Sequence, residues 1–459
     1  MNVFVLLADS FRRDHLGFAG NNWIQTPNLD ALAKDAFVFE QAYSGGLPTI
    51  PHRTECFTGR HMLKFRPWSR LQPTDELLSE ALWGAGVDSA LISDCWHLHQ
   101  PGMAFARGFN TVRFIRGQEQ DPRVCDELIE IDPLVHFKPR PDIANDPFAK
   151  TNEHFLKQAM IYGRNRAHFA KEEDHFCPQV VQEALSWLDA RKGRDKLFLW
   201  LDAFDPHEPW DPPAPYNRMY QPDYQGEDMW LQVPGLVDGY LSDDELKHIR
   251  ALYAGLCTMV DTWFGIFLNR LKELGFWDNS LILFTSDHGE FLGNGKWGHG
   301  QIRKGCIWPY EELAHIPLIV RHPGGIGGGQ RSQALVQPCD LAPTILDFLG
   351  VEGLSKRHGA SLLPLIRGEK PSVRDFAVSG KYGRNWCIRD KQWTYFLYHG
   401  NKDADWLMNV KAVADDKPSP SELFDRTKDP YELNNLIEQH PDEARRLDRE
   451  LRAFMDSLT

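Results

Sequence analysis

A threonine in a glycine-rich loop offers a hydroxyl group that could act as a nucleophile. Thr49 lies in the segment SGGLPTIPHR, which leads into a short stretch compatible with a helix. At a helix N-terminus the free N–H groups and the macrodipole lower the cost of an oxyanion and of a bound anion. The segment alone leaves two interpretations open, because Thr49 is either a nucleophile or a cap of the helix.

Acidic residues follow four of the apolar runs that the sequence predicts to be strands. The runs NVFVLLA, SALIS, LFLWL and LILFT are closely followed by Asp9, Asp94, Asp202 and Asp287, the last of which precedes His288. Continuous apolar runs of this length are typical of strands buried on both faces of a parallel sheet. Ligands of such sheets bind beyond the carboxyl ends of the strands, so we predict that the four carboxylates converge at a ligand-binding edge.

The elements that must position these residues alternate between strands and helices. A further apolar run occupies residues 316–320, and helical patterns separate the runs at residues 26–36, 75–85 and 180–191. This alternation predicts an α/β fold with a doubly wound, mostly parallel sheet flanked by helices.

The C-terminal part of the chain has a different pattern. Short alternating segments precede a charged helical segment from Pro441 to Leu458, which predicts a small antiparallel sheet with a helix packed on it. Two long stretches without clean periodicity are predicted to be lids or insertions at the site. We therefore expect an α/β domain over residues 1–372, with insertions near 117–174 and 206–239, and a small α+β subdomain over residues 373–459.

Composition and charge exclude several classes of function. The 459-residue chain has 51 Lys and Arg against 64 Asp and Glu, and its net charge of −13 provides no basic field for nucleic acid. The apolar run at the N-terminus is too short for a signal peptide or a membrane span, so we expect a cytoplasmic protein without membrane association. Eight scattered cysteines lack the spacing of a zinc ribbon, and we expect reduced thiols.

Four motifs of the chain together resemble the sulfatase family, which is part of the alkaline phosphatase superfamily. They are LLADSFRRDHLG, the pattern TIPHR with TG five residues beyond the arginine, TSDHGE, and the late segment ELFDRTKDPYELNNL. The motifs follow the order of the family and spread over nearly the whole chain. The resemblance implies an alkaline-phosphatase-like α/β domain that carries a metal-bound nucleophile, followed by a small C-terminal sheet domain.

The resemblance also assigns roles to five positions of the sequence. It makes Asp9, Asp287 and His288 metal ligands, Thr49 the metal-bound nucleophile, and Arg53 the side chain that fixes the nucleophile loop. Carboxylate oxygens with one imidazole suit a divalent ion such as Ca²⁺, Mg²⁺, Mn²⁺ or Zn²⁺. Such an ion would lower the pKa of the hydroxyl and neutralise charge on a bound ester.

Two departures from the family pattern bear on the chemistry. Most characterised sulfatases oxidise a Cys or Ser at the nucleophile position to formylglycine, whereas Thr49 cannot be converted, so no formylglycine is expected. A threonine ester must be cleaved by water, which is harder for an alkyl sulfate than for a phosphoryl-threonine, and this favours phosphorus esters. Ser10 stands where many sulfatases carry a second ligating Asp, and the choice of metal is therefore open.

Three further segments resemble parts of the sulfatase site. His207 in FDPHEPW resembles a histidine that contacts the substrate oxyanion, and the segment with His299 and Lys304 resembles one that supplies a substrate-binding residue. His97 in DCWH matches the histidine of a GKWH segment, although Cys95 replaces the lysine. A second role stays open here, because Asp205, His207 and His299 could instead hold a second metal that activates water.

The sequence thus predicts a metal-dependent hydrolase of sulfate, phosphate or phosphonate esters. Thr49 would attack the sulfur or phosphorus, while Arg53, His97, His207 and Lys304 would stabilise the developing negative charge. The expected substrate is a small-molecule or sugar ester that carries an anion, and a homo-oligomer is compatible with the sequence. The alternatives are a phosphoryl transferase of the same superfamily and a metal-binding pseudoenzyme.

Overall fold

The computed structural model describes residues 1–124, 128–141, 149–304, 309–398 and 421–459. Within these residues the α-helices are α1 (Pro27–Lys34), α2 (Thr49–Thr58), α3 (Leu78–Gly84), α4 (Trp96–His99), α5 (Ala149–Arg166), α6 (Phe176–Asp189), α7 (Tyr216–Met219), α8 (Asp243–Glu273), α9 (Glu311–Ala314), α10 (Leu341–Leu349), α11 (Leu363–Ile366) and α12 (Pro441–Ser457). The helical patterns predicted at 26–36, 75–85 and 180–191 correspond to α1, α3 and α6.

The strands of the same residues form a large sheet and three small ones. They are β1 (Asn2–Ala8), β2 (Phe37–Ala42), β3 (Asp88–Ser93), β4 (Thr111–Phe114), β5 (Phe137–Lys138), β6 (Leu197–Ala203), β7 (Leu231–Gln232), β8 (Gly235–Leu236), β9 (Ser280–Thr285), β10 (Leu292–Gly293), β11 (Gln301–Ile302), β12 (Leu318–Arg321), β13 (Arg331–Val336), β14 (Ala377–Lys381), β15 (Asn385–Arg389), β16 (Trp393–Tyr398) and β17 (Glu422–Asp425).

The large sheet has the strand order β13-β2-β12-β9-β1-β6-β3-β4. All its neighbouring strands pair in parallel except β12, which runs antiparallel to both β9 and β2. The sheet is therefore mostly parallel, as the sequence predicts. The predicted strand at 316–320 begins two residues later, at Leu318.

The central strand β1 separates two apolar cores. Phe4, Leu6 and Ala8 belong to one core, and Val3 and Leu7 belong to the other. Successive side chains of a strand point to opposite faces, so both faces of β1 are covered and every residue of the strand is buried. This double burial explains why the run is continuously apolar instead of alternating.

The long helix α8 fills the first of these cores. Its N-terminus carries a capping box, in which the Ser242 hydroxyl accepts from the Glu245 N–H and the Glu245 carboxylate accepts from the Ser242 N–H. Among the described helices α8 is the one whose length and apolar composition would also suit a membrane span. In this fold 89% of its most apolar window is buried.

The C-terminal segment forms the small antiparallel sheet that the sequence predicts. Its order is β14-β15-β16-β17, and the buried residues Ala444, Leu447, Leu451 and Met455 give α12 one apolar face, which packs against the sheet. A bridge between Gly46 and Gly380 joins the loop that precedes Thr49 to β14. The boundary at residues 372 and 373 stays a prediction.

The two predicted insertions contain regular structure and contact each other. The first, 117–174, contains β5 and the 18-residue helix α5, which the irregular sequence pattern did not predict; residues 125–127 and 142–148 of it lie outside the described residues. The second insertion, 206–239, contains α7, β7 and β8. Pairing of β5 with β7 links the two. Six described cysteines are free and buried, and Cys125 and Cys306 lie outside the described residues.

We predict that Asp261→Ala destabilises the protein, because Asp261 of α8 caps the first turn of α1. Its carboxylate accepts from the backbone N–H groups of Asn28 and Leu29 at 3.1 and 2.7 Å. Loss of both bonds should lower the free energy of unfolding by about 1–3 kcal/mol in urea denaturation. Asp243→Ala, in the exposed first turn of α8, is the matched control. Equal effects of the two variants would contradict the capping role.

Candidate active site

The carboxyl ends of three adjacent strands bring three carboxylates together. Asp9 follows β1, Asp202 lies near the end of β6, and Asp287 follows β9, and these strands neighbour one another in the sheet. The predicted convergence at one edge is therefore confirmed for these three. Asp94, at the end of β3, lies one strand further and accepts instead from the Phe204 N–H at 2.7 Å.

Arg53 joins the three carboxylates. Its Nε and Nη2 donate to the two oxygens of Asp202 at 2.8 and 2.7 Å, and its Nη1 donates to Asp287 Oδ2 at 2.7 Å. Nη2 also lies 3.1 Å from Asp9 Oδ2, and all four side chains are fully buried. The sequence named Asp202 as a strand-ending acid without a role, and the structure makes it the main counter-charge of Arg53.

Thr49 is the first residue of α2, one turn before Arg53. The Nη1 of Arg53 also donates to the Thr49 carbonyl at 3.4 Å. Arg53 therefore links the first turn of α2 to the three carboxylates. Pro48 occupies the N-cap position, and within the described residues the Thr49 hydroxyl makes no hydrogen bond. The capping interpretation of Thr49 is therefore wrong. Its side chain lines a cavity of about 400 Å³.

Asp9, Asp287 and His288 form a grouping that could hold a metal ion. Their ligand atoms lie within 4.8 Å of one another, and all three residues are buried. The Ser10 hydroxyl donates to Asp9 Oδ1 at 2.8 Å, and its backbone N–H donates to Asp287 Oδ1 at 2.9 Å. Ser10 thus orients both carboxylates instead of supplying a further ligand.

The free atoms of this grouping fit a cation. His288 Nδ1 lies 2.8 Å from the carbonyl of Gly289, so Nδ1 carries the proton and Nε2 presents a lone pair 3.5 Å from Asp287 Oδ2. Asp9 Oδ2, which meets Arg53 as an ion pair without hydrogen-bond geometry, and His288 Nε2 are buried and have no hydrogen-bond partner among the described residues. Buried polar atoms are rarely left so, and a divalent cation would satisfy both.

The electrostatics of the three groups differ. Burial and then the charge of Asp287 raise the pKa of Asp9 well above its ordinary value. Burial would also raise the pKa of Asp287, but His288 and Arg53 outweigh it and hold that pKa well below its ordinary value. Burial lowers the pKa of His288 to about 4, which keeps the imidazole neutral and able to bind a metal.

Lys304 lies on the wall of the cavity between two acidic residues. Its ammonium group lies 3.3 Å from Glu208 Oε2 and 3.4 Å from Glu290 Oε2. Burial would lower the pKa of Lys304, but the charges of Glu208 and Glu290 raise it, so the group is a cation. Arg303 also pairs with Glu208. The sequence did not assign these acids, although Glu208 adjoins His207 and Glu290 ends the TSDHGE motif.

Two predicted histidines line the same cavity. His207 Nδ1 lies 2.5 Å from the backbone carbonyl of Glu208, and its ring packs on Phe204 with centroids 3.9 Å apart. His97 Nε2 lies 2.9 Å from Glu119 Oε2, a carboxylate to which the sequence gave no role. The neighbouring Cys95 is buried, and burial raises its thiol pKa well above the ordinary value, in accord with a packing residue.

His299 does not join this cavity. Its ring stacks on Tyr310 with centroids 3.7 Å apart, and its Nε2 lies 3.3 Å from Glu312 Oε2. The flanking sequence WGHG does not encode this packing, which depends on residues that follow it in the chain. The predicted contact of His299 with substrate is therefore not supported by its position.

The predicted second metal site is not assembled. In the described part of the chain, Asp205, His207 and His299 do not form a grouping of ligand atoms. Asp205 accepts instead from the Cys177 N–H at 3.2 Å, and its charge helps to raise the pKa of Asp94. Burial raises the pKa of Asp205 to about 7.

Comparisons with known proteins identify the relatives of this chain. A model of the sulfatase family matches residues 1–351, and a model of the C-terminal part of N-sulphoglucosamine sulphohydrolase matches residues 298–458. An arylsulfatase of Clostridium perfringens is 26% identical over 95% of this chain and 90% of its own length. The multifunctional alkaline phosphatase superfamily protein PehA of Trinickia caryophylli is 28% identical over 81% of this chain and 78% of its own length.

A solved structure has the same fold over the whole chain. The phosphonate monoester hydrolase of Agrobacterium radiobacter superposes with a TM-score of 0.74 at 22% identity, covering 100% of this chain and 96% of that chain. This similarity confirms the predicted alkaline-phosphatase-like α/β fold.

Arg53→Ala should destabilise the fold strongly, because it leaves three buried carboxylates without their counter-charge. We expect the free energy of unfolding to fall by about 3–5 kcal/mol in denaturant titrations with a chelator present. Arg53→Lys keeps the charge but not the bidentate geometry, so its free energy of unfolding should lie between those of the wild type and Arg53→Ala. A loss below about 1 kcal/mol for the alanine variant would show that the cluster does not depend on Arg53.

Asp205 should make stability depend on pH. Its pKa is raised from 3.8 to about 7 in the folded protein, so its stabilisation is fully present below about pH 4 and is lost as pH rises through 7. Asp205→Asn should therefore gain stability relative to the wild type between these values, by at most about 1.4 kcal/mol per pH unit. Thermal unfolding against pH measures this, with the exposed Asp223→Asn as control. Parallel curves for wild type and Asp205→Asn would contradict the assignment.

Proposed function

Since the chain belongs to the sulfatase family, we propose that it is a divalent-metal-dependent hydrolase of sulfate or phosphorus esters with Thr49 as nucleophile. One observation carries the proposal: Arg53, one turn beyond Thr49, contacts both carboxylates of the candidate metal grouping. The same side chain therefore fixes the nucleophile's helix and the cation ligands. The relatives named above are ester hydrolases, and the prediction of an ester hydrolase agrees with them.

Asp9, Asp287 and His288 would hold the cation. Bound there, it would lower the pKa of the Thr49 hydroxyl and neutralise charge on the ester. Thr49 would give up its hydroxyl proton to solvent as Oγ1 attacks the sulfur or phosphorus in line. The bond to the leaving oxygen would break, and that oxygen would keep the electron pair and take up a proton from solvent. The product of this step is an ester of Thr49, which water must hydrolyse to free the enzyme.

The cavity walls suit an anionic ester. Lys304, held between Glu208 and Glu290, presents a fixed ammonium group to the negative charge that develops in the transition state. His207 presents Nε2 to the cavity because its Nδ1 is engaged by a backbone carbonyl. A volume of about 400 Å³ suits a small molecule or one sugar unit.

Phosphorus esters are the favoured substrates within this proposal. Thr49 forms a simple ester, and a metal assists hydrolysis of a phosphoryl-threonine more effectively than that of an alkyl sulfate. One relative is named as a phosphonate monoester hydrolase and another as a multifunctional member of the alkaline phosphatase superfamily, which agrees with this preference. We further propose a cytoplasmic location.

Turnover of matched p-nitrophenyl esters tests the proposal. The purified chain is given a sulfate, a phosphate monoester, a phosphate diester and a phosphonate monoester, each with Mg²⁺, Mn²⁺, Ca²⁺ or Zn²⁺ after chelation. We expect turnover that requires metal and is highest for a phosphorus ester. Thr49→Ala should lower kcat by at least about a thousandfold.

Thr58→Ala is the matched control, because Thr58 lies in the same helix and its hydroxyl donates to the Thr54 carbonyl. This variant should retain turnover. Unchanged turnover of Thr49→Ala would reject the nucleophile, and full activity after chelation would reject the metal.

A further inference from the structure

A carboxylate and an imidazole form a pair on the wall of the cavity that Thr49 lines. Glu119 Oε2 lies 2.9 Å from His97 Nε2, and Glu119, His97 and Thr49 all line this cavity. Helix α4, which carries His97, packs against α2, which begins at Thr49. The pair therefore shares a cavity with the Thr49 side chain, on which an ester would form.

The loop that carries Glu119 is held in a fixed conformation. Glu119 adopts a left-handed backbone, with φ of 55°, which is uncommon for a residue other than glycine. The buried Asp121 accepts from the Gly117 N–H at 2.8 Å and from the guanidinium of Arg116. The amide of Asn165, on α5, donates to the carbonyls of Gly117 and Asp121 at 2.7 and 2.9 Å. This bracing positions the carboxylate before any ligand binds.

The imidazole of His97 is also held from two sides. Trp68 contacts the ring edge-on with centroids 4.8 Å apart, and Phe204 contacts it with centroids 5.9 Å apart. These contacts hold the ring, and the ion pair with Glu119 engages its Nε2.

The charge of Glu119 sets the tautomer of His97. Burial would raise the pKa of Glu119, but the adjacent imidazole of His97 and the nearby His207 outweigh burial and lower the pKa to about 2. The Glu119 carboxylate lies 2.9 Å from His97 Nε2 as an ion-pair contact without hydrogen-bond geometry, and its negative charge favours the neutral tautomer that has the proton on Nε2. Nδ1 makes no hydrogen bond within the described residues and is left as a proton acceptor.

His207, the other histidine on this wall, is less suited to accept a proton. Its Nδ1 donates to the backbone carbonyl of Glu208, and burial lowers its pKa to about 3. Glu208 Oε2 also lies 3.5 Å from this nitrogen, but that carboxylate is already paired with Arg303 and Lys304. His97, by contrast, has the orientation and counter-charge that a carboxylate gives the histidine of a Ser-His-Asp triad.

We propose that Glu119 and His97 are the general-base pair that activates the water which cleaves the Thr49 ester. This inference rests on the proposed function. An ester of an unmodified threonine has no internal route to expel its phosphoryl or sulfuryl group, so its cleavage depends on an activated water.

The step balances in atoms and charge. His97 Nδ1 takes one proton from the water as its oxygen forms a bond to the phosphorus or sulfur. The bond from that atom to Thr49 Oγ1 breaks, and its electron pair stays on Oγ1. The imidazolium then returns the proton to Oγ1, and Glu119 stays ionised throughout. His97 is a catalytic residue in this scheme, and Glu119 is a positioning residue that acts through it.

Rapid-quench kinetics of Glu119→Gln test the pair on the ester that the wild type turns over best. A glutamine can donate its amide N–H to Nε2 and so invert the tautomer. We expect a burst of about one p-nitrophenol per enzyme, followed by turnover slowed about a hundredfold or more. Mass spectrometry of the quenched protein should find the covalent group on Thr49. Glu119→Asp should restore part of the rate.

Two further variants make the test decisive. His97→Ala should show the same burst and the same adduct, and added imidazole should speed its release. Glu183→Gln, which removes a surface carboxylate at an exposed ion pair, should behave as the wild type.

The outcomes separate the two proposals. If Thr49→Ala retains turnover, the proposed function fails. If Thr49→Ala is inactive but neither Glu119→Gln nor His97→Ala shows a burst or an adduct, the general-base pair alone is overturned. An unchanged rate in folded Glu119→Gln overturns it as well.

Discussion

The site depends on one buried guanidinium that satisfies carboxylates from three strands. Arg53 contacts Asp9, Asp202 and Asp287, none of which has access to water. Three anions so close together in a low-dielectric interior repel one another strongly, and Arg53 makes their approach tolerable. Asp202 binds Arg53 through both of its oxygens. The positive charge of Arg53 therefore compensates Asp9 and Asp287 only in part. The grouping of Asp9, Asp287 and His288 thus retains negative charge that a further cation would neutralise.

The sequence predicted the centre of the fold better than its edges. Strands β1, β3, β6 and β9 are buried on both faces, so their apolar runs are visible in the sequence. Strand β4 is only half-buried, and β13 changes from exposed to buried along its length, so neither gives a continuous run. The acids at strand ends could be predicted for the same reason, because a strand that is visible also shows where it ends.

Pairings between distant side chains could not be predicted in this way. Glu119, Glu208 and Glu290 lie in irregular segments, and nothing in their spacing shows that they meet His97 or Lys304. The same limit explains the two predictions that were wrong in their geometry. His299 instead contacts Tyr310 and Glu312, and Asp205 accepts from the Cys177 N–H, all of which are tertiary partners.

The order of the strands in the sheet has a consequence for biosynthesis. β9 pairs with β1 on the side away from β6, yet β9 is the last of the three to be translated. A nascent chain that has left the ribosome only as far as β6 holds Arg53, Asp9 and Asp202 but still lacks Asp287 and His288. Until β9 docks, the candidate metal grouping is incomplete, so a cation bound by it would report that the central sheet has closed.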